Sequence, residues 1–277
     1  MNDLIALRRA VPDDLKALAA LSSAVAWPHR AADLKLMLEL GRGFVACDRN
    51  VDDIAGIGFW WPNGRDAATL GLVIVSPARQ GRGIGGRLLT ALLDDAHPRA
   101  VKLVATAAGQ PLYEKLGFHV VGGIRQHQGV YAQAPKAVAS VRPAGARDRD
   151  AVVALDVEAI GAERGTLVAR LLSVGSAVLL TREGAPAGFA VRRAFGRGEV
   201  VGPIVAPDED AAIALLRALA GPGFLRVDCP AEATRFAAHL TRAGLAVVDE
   251  AAVMLRGDWP ATAGRVRSFA LASQALC

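Results

Sequence analysis

Between Leu72 and Leu93 the chain concentrates residue types that can bind an anion. An apolar run, Leu72-Val73-Ile74-Val75, ends at Ser76-Pro77 and passes through Arg79-Gln80-Gly81-Arg82-Gly83-Ile84-Gly85-Gly86-Arg87 into a stretch with helical apolar spacing. Glycines at a helix start let a ligand approach closely, so successive backbone N–H groups can point at a phosphate or pyrophosphate, aided by the helix dipole. Arg79, Arg82 and Arg87 add positive charge. An anionic cofactor is therefore expected. Two familiar phosphate loops do not fit. Gly81-x-Gly83-x-x-Gly86 has the spelling of a dinucleotide fingerprint, but that motif directly follows its strand and wants an acidic residue about 20 positions on. Here Ser76 to Gln80 intervene, and the region around Thr106 is neutral. No Gly-Lys-Ser/Thr supplies the lysine and hydroxyl of a P-loop.

These residues need elements to position them. Leu15, Leu18, Leu21 and Val25 predict a helix over residues 13–25, and a second short helix follows over 31–40. Apolar or alternating runs at 43–48, 54–61 and 67–75, bounded by Gly, Asn, Asp and Pro, predict three strands joined by tight turns. Ile84, Leu88, Leu89, Leu92 and Leu93 form one helical stripe; Val101, Leu103 and Ala105 alternate as a strand. Residues 111–116 predict a helix stopped by Gly117, before one or two strands over 118–131. This order describes a mixed α/β layer fold with part of its sheet antiparallel.

The pattern recurs along the chain. Leu7-Arg8-Arg9-Ala10 with Pro12-Asp13-Asp14-Leu15 is echoed by Val141-Arg142-Pro143-Ala144 with Arg147-Asp148-Arg149-Asp150. Leu72-Val73-Ile74-Val75-Ser76-Pro77 is echoed by Gly202-Pro203-Ile204-Val205-Ala206-Pro207, and Tyr113 to Phe118 by His239 to Leu245. Leu7 and Val141 are 134 residues apart, Pro77 and Pro207 130, Gly117 and Gly244 127. So slow a drift implies one architecture used twice with small deletions. Residues 126–136, with Pro135, read as the end of one domain and a linker, giving domains at 1–136 and 137–277.

Val75-Ser76-Pro77-x-x-Gln80-Gly81-Arg82-Gly83-Ile84-Gly85-x-x-Leu88-Leu89, followed by Leu112-Tyr113-Glu114-Lys115-Leu116-Gly117-Phe118, resembles the GNAT superfamily of N-acetyltransferases over about residues 4–131. With Trp27-Pro28-His29, Trp60-Trp61-Pro62, residues 103–109 and Gln126-His127-Gln128-Gly129, the chain is similar to a bacterial subgroup carrying a tandem, degenerate second GNAT-like domain. The resemblance implies two tandem domains, each a mixed, partly antiparallel sheet flanked by helices. It implies an acetyl-CoA-dependent N-acetyltransferase that passes the acetyl group directly from CoA to a primary amine; the alternative is a non-catalytic acyl-CoA-binding sensor or interaction module. It implies that the backbone of Val73, Ile74 and Val75 pairs with pantetheine, that Gln80, Gly81, Arg82, Gly83, Ile84 and Gly85 hold the pyrophosphate, and that Arg87 and Thr106 complete the cofactor set. Tyr113 would be catalytic, protonating the departing CoA thiolate; its phenol has an unperturbed pKa near 10, above a thiol's 8.5 or so.

Many relatives take the amine's proton with a glutamate near the fourth strand, but Thr69-Leu70-Gly71-Leu72 offers none. The base is then a residue from elsewhere, such as His29 or His127, which titrate near neutrality, or water leading to solvent. His97 and His119 read as structural. Trp27, Trp60 and Trp61 fall in segments flanking the acceptor side, and tryptophan faces attract ammonium groups. Trp60 and Trp61 alternate on a strand, so at least one belongs to the core. Trp27, His29, Trp61 and His127 are the substrate-binding candidates. The second half lacks the loop: Pro207 is followed by Asp208-Glu209-Asp210, three acids where phosphates would sit, and residues 231–243 hold no tyrosine. The acids also suit the first turn of a helix. The expected role of residues 137–277 is to close the acceptor pocket or form a dimer surface.

Composition limits the alternatives. With 52% hydrophobic and 21% charged residues, 277 residues bury a sizeable core, which excludes global disorder. No run approaches the roughly 18 apolar residues of a membrane span, and the first residues lack a signal peptide's apolar block. Cys47, Cys229 and Cys277 are scattered without metal-site spacing, so a cytoplasmic setting and no metal are expected, and Cys47 reads as a small core residue. A net charge of +5 with only 5% aromatics leaves no nucleic-acid footprint. The expected partner is a small-molecule or peptide amine, without nucleic acid or membrane, and homodimerisation is open.

Overall fold

The computed structural model describes residues 5–48 and 53–277. The first four residues of the expected first domain, and the turn expected at 49–52, lie outside the described residues. The first half runs β1 (Ile5–Arg9), α1 (Leu15–Ala24), α2 (Ala31–Leu40), β2 (Arg42–Asp48), β3 (Asp53–Asn63), β4 (Ala67–Val75), α3 (Ile84–Ala96), β5 (Ala100–Ala105), α4 (Gln110–Lys115) and β6 (His119–Tyr131). The second repeats that order as β7 (Val141–Ala144), α5 (Arg149–Ile160), α6 (Gly165–Val174), β8 (Ser176–Arg182), β9 (Ala185–Phe195), β10 (Gly198–Ala206), α7 (Glu209–Leu219), β11 (Gly223–Pro230), α8 (Thr234–Arg242) and β12 (Ala246–Arg256). It then adds β13 (Arg267–Ala270) and a 3-10 turn, Gln274–Leu276. Among the described residues no helix is long and apolar enough to cross a membrane.

The echoes in sequence are echoes in structure. Arg8 pairs with Asp14 at 2.7 Å while Asp14 accepts the Val11 N–H; Arg142 pairs with Asp148 at 2.7 Å while Asp148 accepts the Gly145 N–H. Each pair ties the first strand of its half to the turn before the next helix. At the other end, Gly117 (φ 85°) and Gly244 (φ 92°) stop α4 and α8 in the left-handed conformation that glycine adopts freely. The Phe118 N–H then returns to the Tyr113 carbonyl at 3.1 Å, as the Leu245 N–H does to that of Leu240 at 3.0 Å.

The strands form one continuous 13-stranded sheet in the order β1-β2-β3-β4-β5-β12-β6-β11-β10-β9-β8-β7, with β13 against β10. The halves exchange their closing strands. β12 runs antiparallel to β5 from Ala252 opposite Ala105 to Arg256 opposite Val101, and β6 pairs β11 from Gly223 opposite Tyr131 to Pro230 opposite Ile124. Neither half therefore closes its sheet alone, and separation would expose unpaired edges. The cores merge too: Leu18, Leu34 and Phe59 share one buried cluster with Leu155, Leu167 and Phe189. The predicted stripe of α3, Ile84 to Leu93, is buried against the first half of the sheet, and Leu215, Leu216 and Leu219 of α7 do the same in the second.

Two irregularities position the site. β4 pairs in parallel with β5 only from Ala67 opposite Ala100 to Leu70 opposite Leu103, after which the strands part. At that point β4 carries one extra residue against β3, and Leu72 sits at φ 51°, the mark of a bulge. β10 likewise bulges between Val201 and Ile204 and pairs β11 only at Glu199 and Val200.

Candidate active site

A cavity of about 860 Å³ opens where β4 and β5 part and extends from the glycine loop to the exchanged strands of the second half. Gly71, Leu72, Val73 and Val75 line one side of the wedge, Val104 and Thr106 the other. Ile74, expected among the cofactor residues, is buried in the core and does not line the cavity. Beyond the bulge β4 stays paired with β3 but has no partner on its β5 side, which leaves backbone donors and acceptors for an extended ligand.

Past a 3-10 turn at Pro77–Arg79, Gly81 (φ 74°) and Gly83 (φ 75°) are left-handed, and Gly83 caps α3. A Cβ at either position would meet nothing within 4 Å. Glycine is thus demanded there by the backbone turn, and the space beside it is open. The first α3 N–H groups precede the Arg87 N–H bond to the Gly83 carbonyl and lack intrahelical partners. Gln80 folds back to donate to the Val75 carbonyl at 3.3 Å, and Arg79 is held by the buried Asp48 carboxylate. Arg82 is exposed and does not line the cavity, whereas Ile84 and Gly85 do. Arg87 departs from expectation: it donates to the Ile5 carbonyl of β1 at 2.8 Å and also does not line the cavity.

Tyr113 lines the same cavity from α4. The Thr106 carbonyl accepts the Gly109 N–H at 2.9 Å, which anchors the start of that helix, and Phe118 meets the Tyr113 ring edge-on at 5.8 Å. Burial pushes the phenol up to about 12.

The opposite wall begins in the α1–α2 connection, where Trp27 and His29 line the cavity. The Ser22 hydroxyl lies 2.9 Å from His29 Nδ1, and the imidazole sits edge-on between Trp27 and Phe195, at 5.8 and 5.7 Å. Burial lowers its pKa to about 4; Arg226 and Arg193 push in the same direction, and Asp33 opposes them. Two other candidates lie elsewhere. Trp61 is buried in the core, stacked on Phe59 and donating to the Met37 carbonyl at 2.9 Å. His127 is wholly buried, with Nδ1 donating to the Leu245 carbonyl at 3.0 Å. Its neighbours Gln126 and Gln128 line the cavity instead, because side chains alternate along β6. Trp60 is also core, its indole N–H on Asp95 at 2.8 Å.

The remaining wall comes from the second half: Phe195, Arg226, Asp249, Ser273, Gln274 and Ala275. Sequence reading missed all of them, since nothing in their own segments signals that β9, β11, β12 and the tail meet the cavity of the first half. The tail is clamped by three backbone carbonyls or N–H groups: Leu271 N–H to Asp228 O at 2.9 Å, Arg193 to Ala272 O at 2.8 Å and Arg164 to Leu276 O at 2.9 Å. It thereby seats Ala275 directly under Gly71, where a Cβ would approach to 3.0 Å.

The wedge of the second half is filled. β13 pairs β10 through Ile204 opposite Ala270, Val205 opposite Ser268 and Ala206 opposite Arg267, and a Cβ on Gly202 would lie 1.9 Å from the Leu271 carbonyl. The three acids serve the helix there. Asp208 caps α7 through the Ala211 N–H at 2.8 Å and pairs with Arg182, Glu209 accepts the Phe236 N–H, and Asp210 pairs with Arg235.

In the first half, the open strand edge, the left-handed glycines and the unpartnered helix N–H groups fit an extended chain ending in a pyrophosphate, as in an acyl-CoA. Two models of the acetyltransferase (GNAT) domain match the chain, over residues 39–120 and 152–267. The uncharacterized N-acetyltransferase YitH of Bacillus subtilis (strain 168) is 30% identical over 285 residues, covering 100% of this chain and 99% of that protein. A Pyrococcus horikoshii structure provisionally assigned as an acetyltransferase superposes with a TM-score of 0.81 at 20% identity, over 99% of this chain and 96% of its own. A tandem GNAT protein from the clavulanic acid biosynthesis pathway shares the fold at a TM-score of 0.66 and 15% identity, over 93% of this chain and 99% of its own. The chain belongs to the GNAT family of acetyltransferases, with two GNAT domains in tandem, and the family implies an acyl-CoA co-substrate.

Proposed function

We propose that the protein is an acetyl-CoA-dependent N-acetyltransferase with one working site, in residues 1–136, which passes an acetyl group directly to a primary amine. Residues 137–277 keep the fold without the cofactor site and wall the acceptor pocket. The observation that carries this reading is that open wedge, glycine loop and Tyr113 meet in one cavity, while β13 fills the equivalent wedge.

Acetyl-CoA supplies an acyl group already activated as a thioester. The N–H groups at the start of α3 and those of Gly81 and Gly83 take the pyrophosphate oxygens, and the backbone of Val73 to Val75 offers strand-like bonds to the pantetheine amides. Tyr113, at about 12, holds its proton at neutral pH and would offer a hydrogen-bond donor to a thioester sulfur bound in the cavity it lines. Full proton transfer from so weak an acid to a thiolate whose thiol has a pKa near 8.5 is uphill. Tyr113 therefore stabilises the departing charge by donating a hydrogen bond, and the proton that ends on sulfur comes from the amine by way of solvent. His29, at about 4, is too weak a base to hold that proton, and His127 lies outside the cavity. Of the candidates named from the sequence, water leading to solvent is the one that this geometry favours.

Calorimetric titration with acetyl-CoA, followed by assay of free CoA release with a panel of amines, tests the reading. One site per chain with release for some amine is expected. Binding without release for any amine would turn the protein into an acyl-CoA sensor, and two sites per chain would overturn the assignment of the second half.

A further inference from the structure

The acceptor wall holds a charge that the reaction above does not use. Arg226, on β11, is 9% exposed and lines the cavity. Its Nε lies 3.0 Å from both carboxylate oxygens of Asp228, and its Nη2 lies 2.8 Å from one of them. Asp228 is 0% exposed, so this edge of the guanidinium is fixed from behind. Nη1 has no acceptor among the described residues and is not among the buried unpartnered atoms, which leaves it facing open space. A guanidinium donor without an acceptor, in a site closed on its other sides, favours an occupant that brings an oxygen anion.

This arginine is not placed for the cofactor's phosphates. The glycine loop follows β4, and β11 stands four strands away across β5, β12 and β6, about 19 Å along the sheet at the usual strand spacing. The local field has the same sense. Arg193, 4% exposed, and Arg226 both lie over the Phe195 ring, at 4.8 and 5.4 Å, and Arg193 is 3.9 Å from an Asp33 carboxylate that Arg30 already holds at 2.7 Å. Arg197 adds charge at the cavity wall. Asp33 and Asp228 are each committed to an arginine; Asp249 lines the cavity on the exchanged strand β12 and is exposed.

We infer that the acceptor is an amine that also carries an anionic oxygen group, a carboxylate in the first instance, received by the free edge of Arg226. The inference rests on the acetyltransferase reading and narrows its substrate class to amino-acid-like molecules. A guanidinium edge matches a carboxylate in plane and charge. Asp249, Gln126 and Gln128 supply oxygens for the amine end, and Trp27 and Phe195 an apolar wall for the body of the molecule. A polyamine would set like charge against Arg226.

The test compares matched pairs: leucine with 3-methylbutylamine, phenylalanine with 2-phenylethylamine, γ-aminobutyrate with propylamine, and O-phosphoethanolamine with ethanolamine. CoA release is read as kcat/KM, with acetyl-CoA titrated in parallel. At least one member bearing an anionic group should exceed its partner without one about tenfold or more, chiefly through KM; a winning phosphate pair would identify phosphate as the anion. Arg226→Lys keeps the charge without the fork and should pull that ratio toward one. Because a lone Asp228 would be left buried, Arg226→Met is paired with Asp228→Leu, with acetyl-CoA binding as the check on folding; the ratio should collapse there too. Amines without an anionic group that equal or better their partners would overturn the inference and leave the transferase standing. So would Arg226-dependent use of succinyl-CoA with amines that carry no anionic group, which would give the arginine to the acyl chain. No release from any member by a protein that binds acetyl-CoA would overturn the transferase reading and the inference together.

Discussion

The wedge between β4 and β5 stays open from Leu72 to Val75, whereas the wedge between β10 and β11 is filled by β13, although both arise from a bulge at the same place in a repeated fold. The surrounding frame is alike down to single hydrogen bonds: Arg8–Asp14 matches Arg142–Asp148, and the turn at Gly117 matches the turn at Gly244. The differences centre on the wedge and the loop that follows it. Left-handed glycines give way to a capped acidic turn, Tyr113 gives way to the fully buried Leu240, and an open strand edge gives way to one of the chain's own strands. A scaffold of this kind is held by its frame and made functional by what the frame leaves unfilled. The second copy loses its wedge to the tail, and the same tail goes on to seat Ser273, Gln274 and Ala275 in the wall of the first. One copy thus holds the open wedge, and the other supplies part of the wall of its cavity.

Tyr113→Phe strikes that difference hardest. The substitution keeps the ring and its contact with Phe118 and removes the hydrogen-bond donor. Losing one donor aimed at developing charge costs on the order of 10²–10³ in kcat at oxyanion sites, so a fall of about 10²-fold is expected here, with acetyl-CoA affinity within a factor of two of wild type. Full turnover would remove Tyr113 from the chemistry.

Gly83→Val comes next. A Cβ at this position meets open space, so the effect arises from backbone conformation and from the volume a ligand would occupy. A β-branched residue at φ 75° is strained by about 1–3 kcal/mol, which relaxes the loop away from its anion-binding form; acetyl-CoA affinity should fall about 30-fold by calorimetry. Unchanged affinity would place the pyrophosphate elsewhere.

The open side of this comparison was legible because its signals are local. Gln80 to Gly86 and Tyr113 to Phe118 are short, contiguous motifs, and the repeated order of elements follows from periodicities read one segment at a time. The filled side was not. β13 is four residues long, below what alternation can reveal, and its partner lies about sixty residues upstream. The strand exchange was hidden for a related reason: β6 and β12 are the long closing strands of their halves, and only long-range pairing decides which lies beside β5. Parity explains the rest. His127 and Trp61 are one residue out of phase with the cavity face or buried beneath it, Arg87 faces β1 from α3, and which face would be the cavity depends on the exchanged strands. Arg226 and Gln274 reach the site from the far half and carry no mark of it in their own neighbourhoods.

The gentlest test decides between two reasons for the second half's silence, repulsion by its acids or occupation by β13. Asp208→Ala removes a carboxylate that caps α7 and pairs with the exposed Arg182. Loss of such a cap costs about 0.5–2 kcal/mol, and an exposed pair adds little, so Tm should drop by a few degrees. If charge alone barred the cofactor, removing Asp208 would begin to admit it. If β13 bars it, calorimetry will still find one acetyl-CoA per chain, because the backbone bonds from Ile204 to Ala206 are untouched by the substitution. A second site in Asp208→Ala would return the explanation to electrostatics, and unchanged stoichiometry with a lowered Tm would assign the acids to the helix and the closure to the strand.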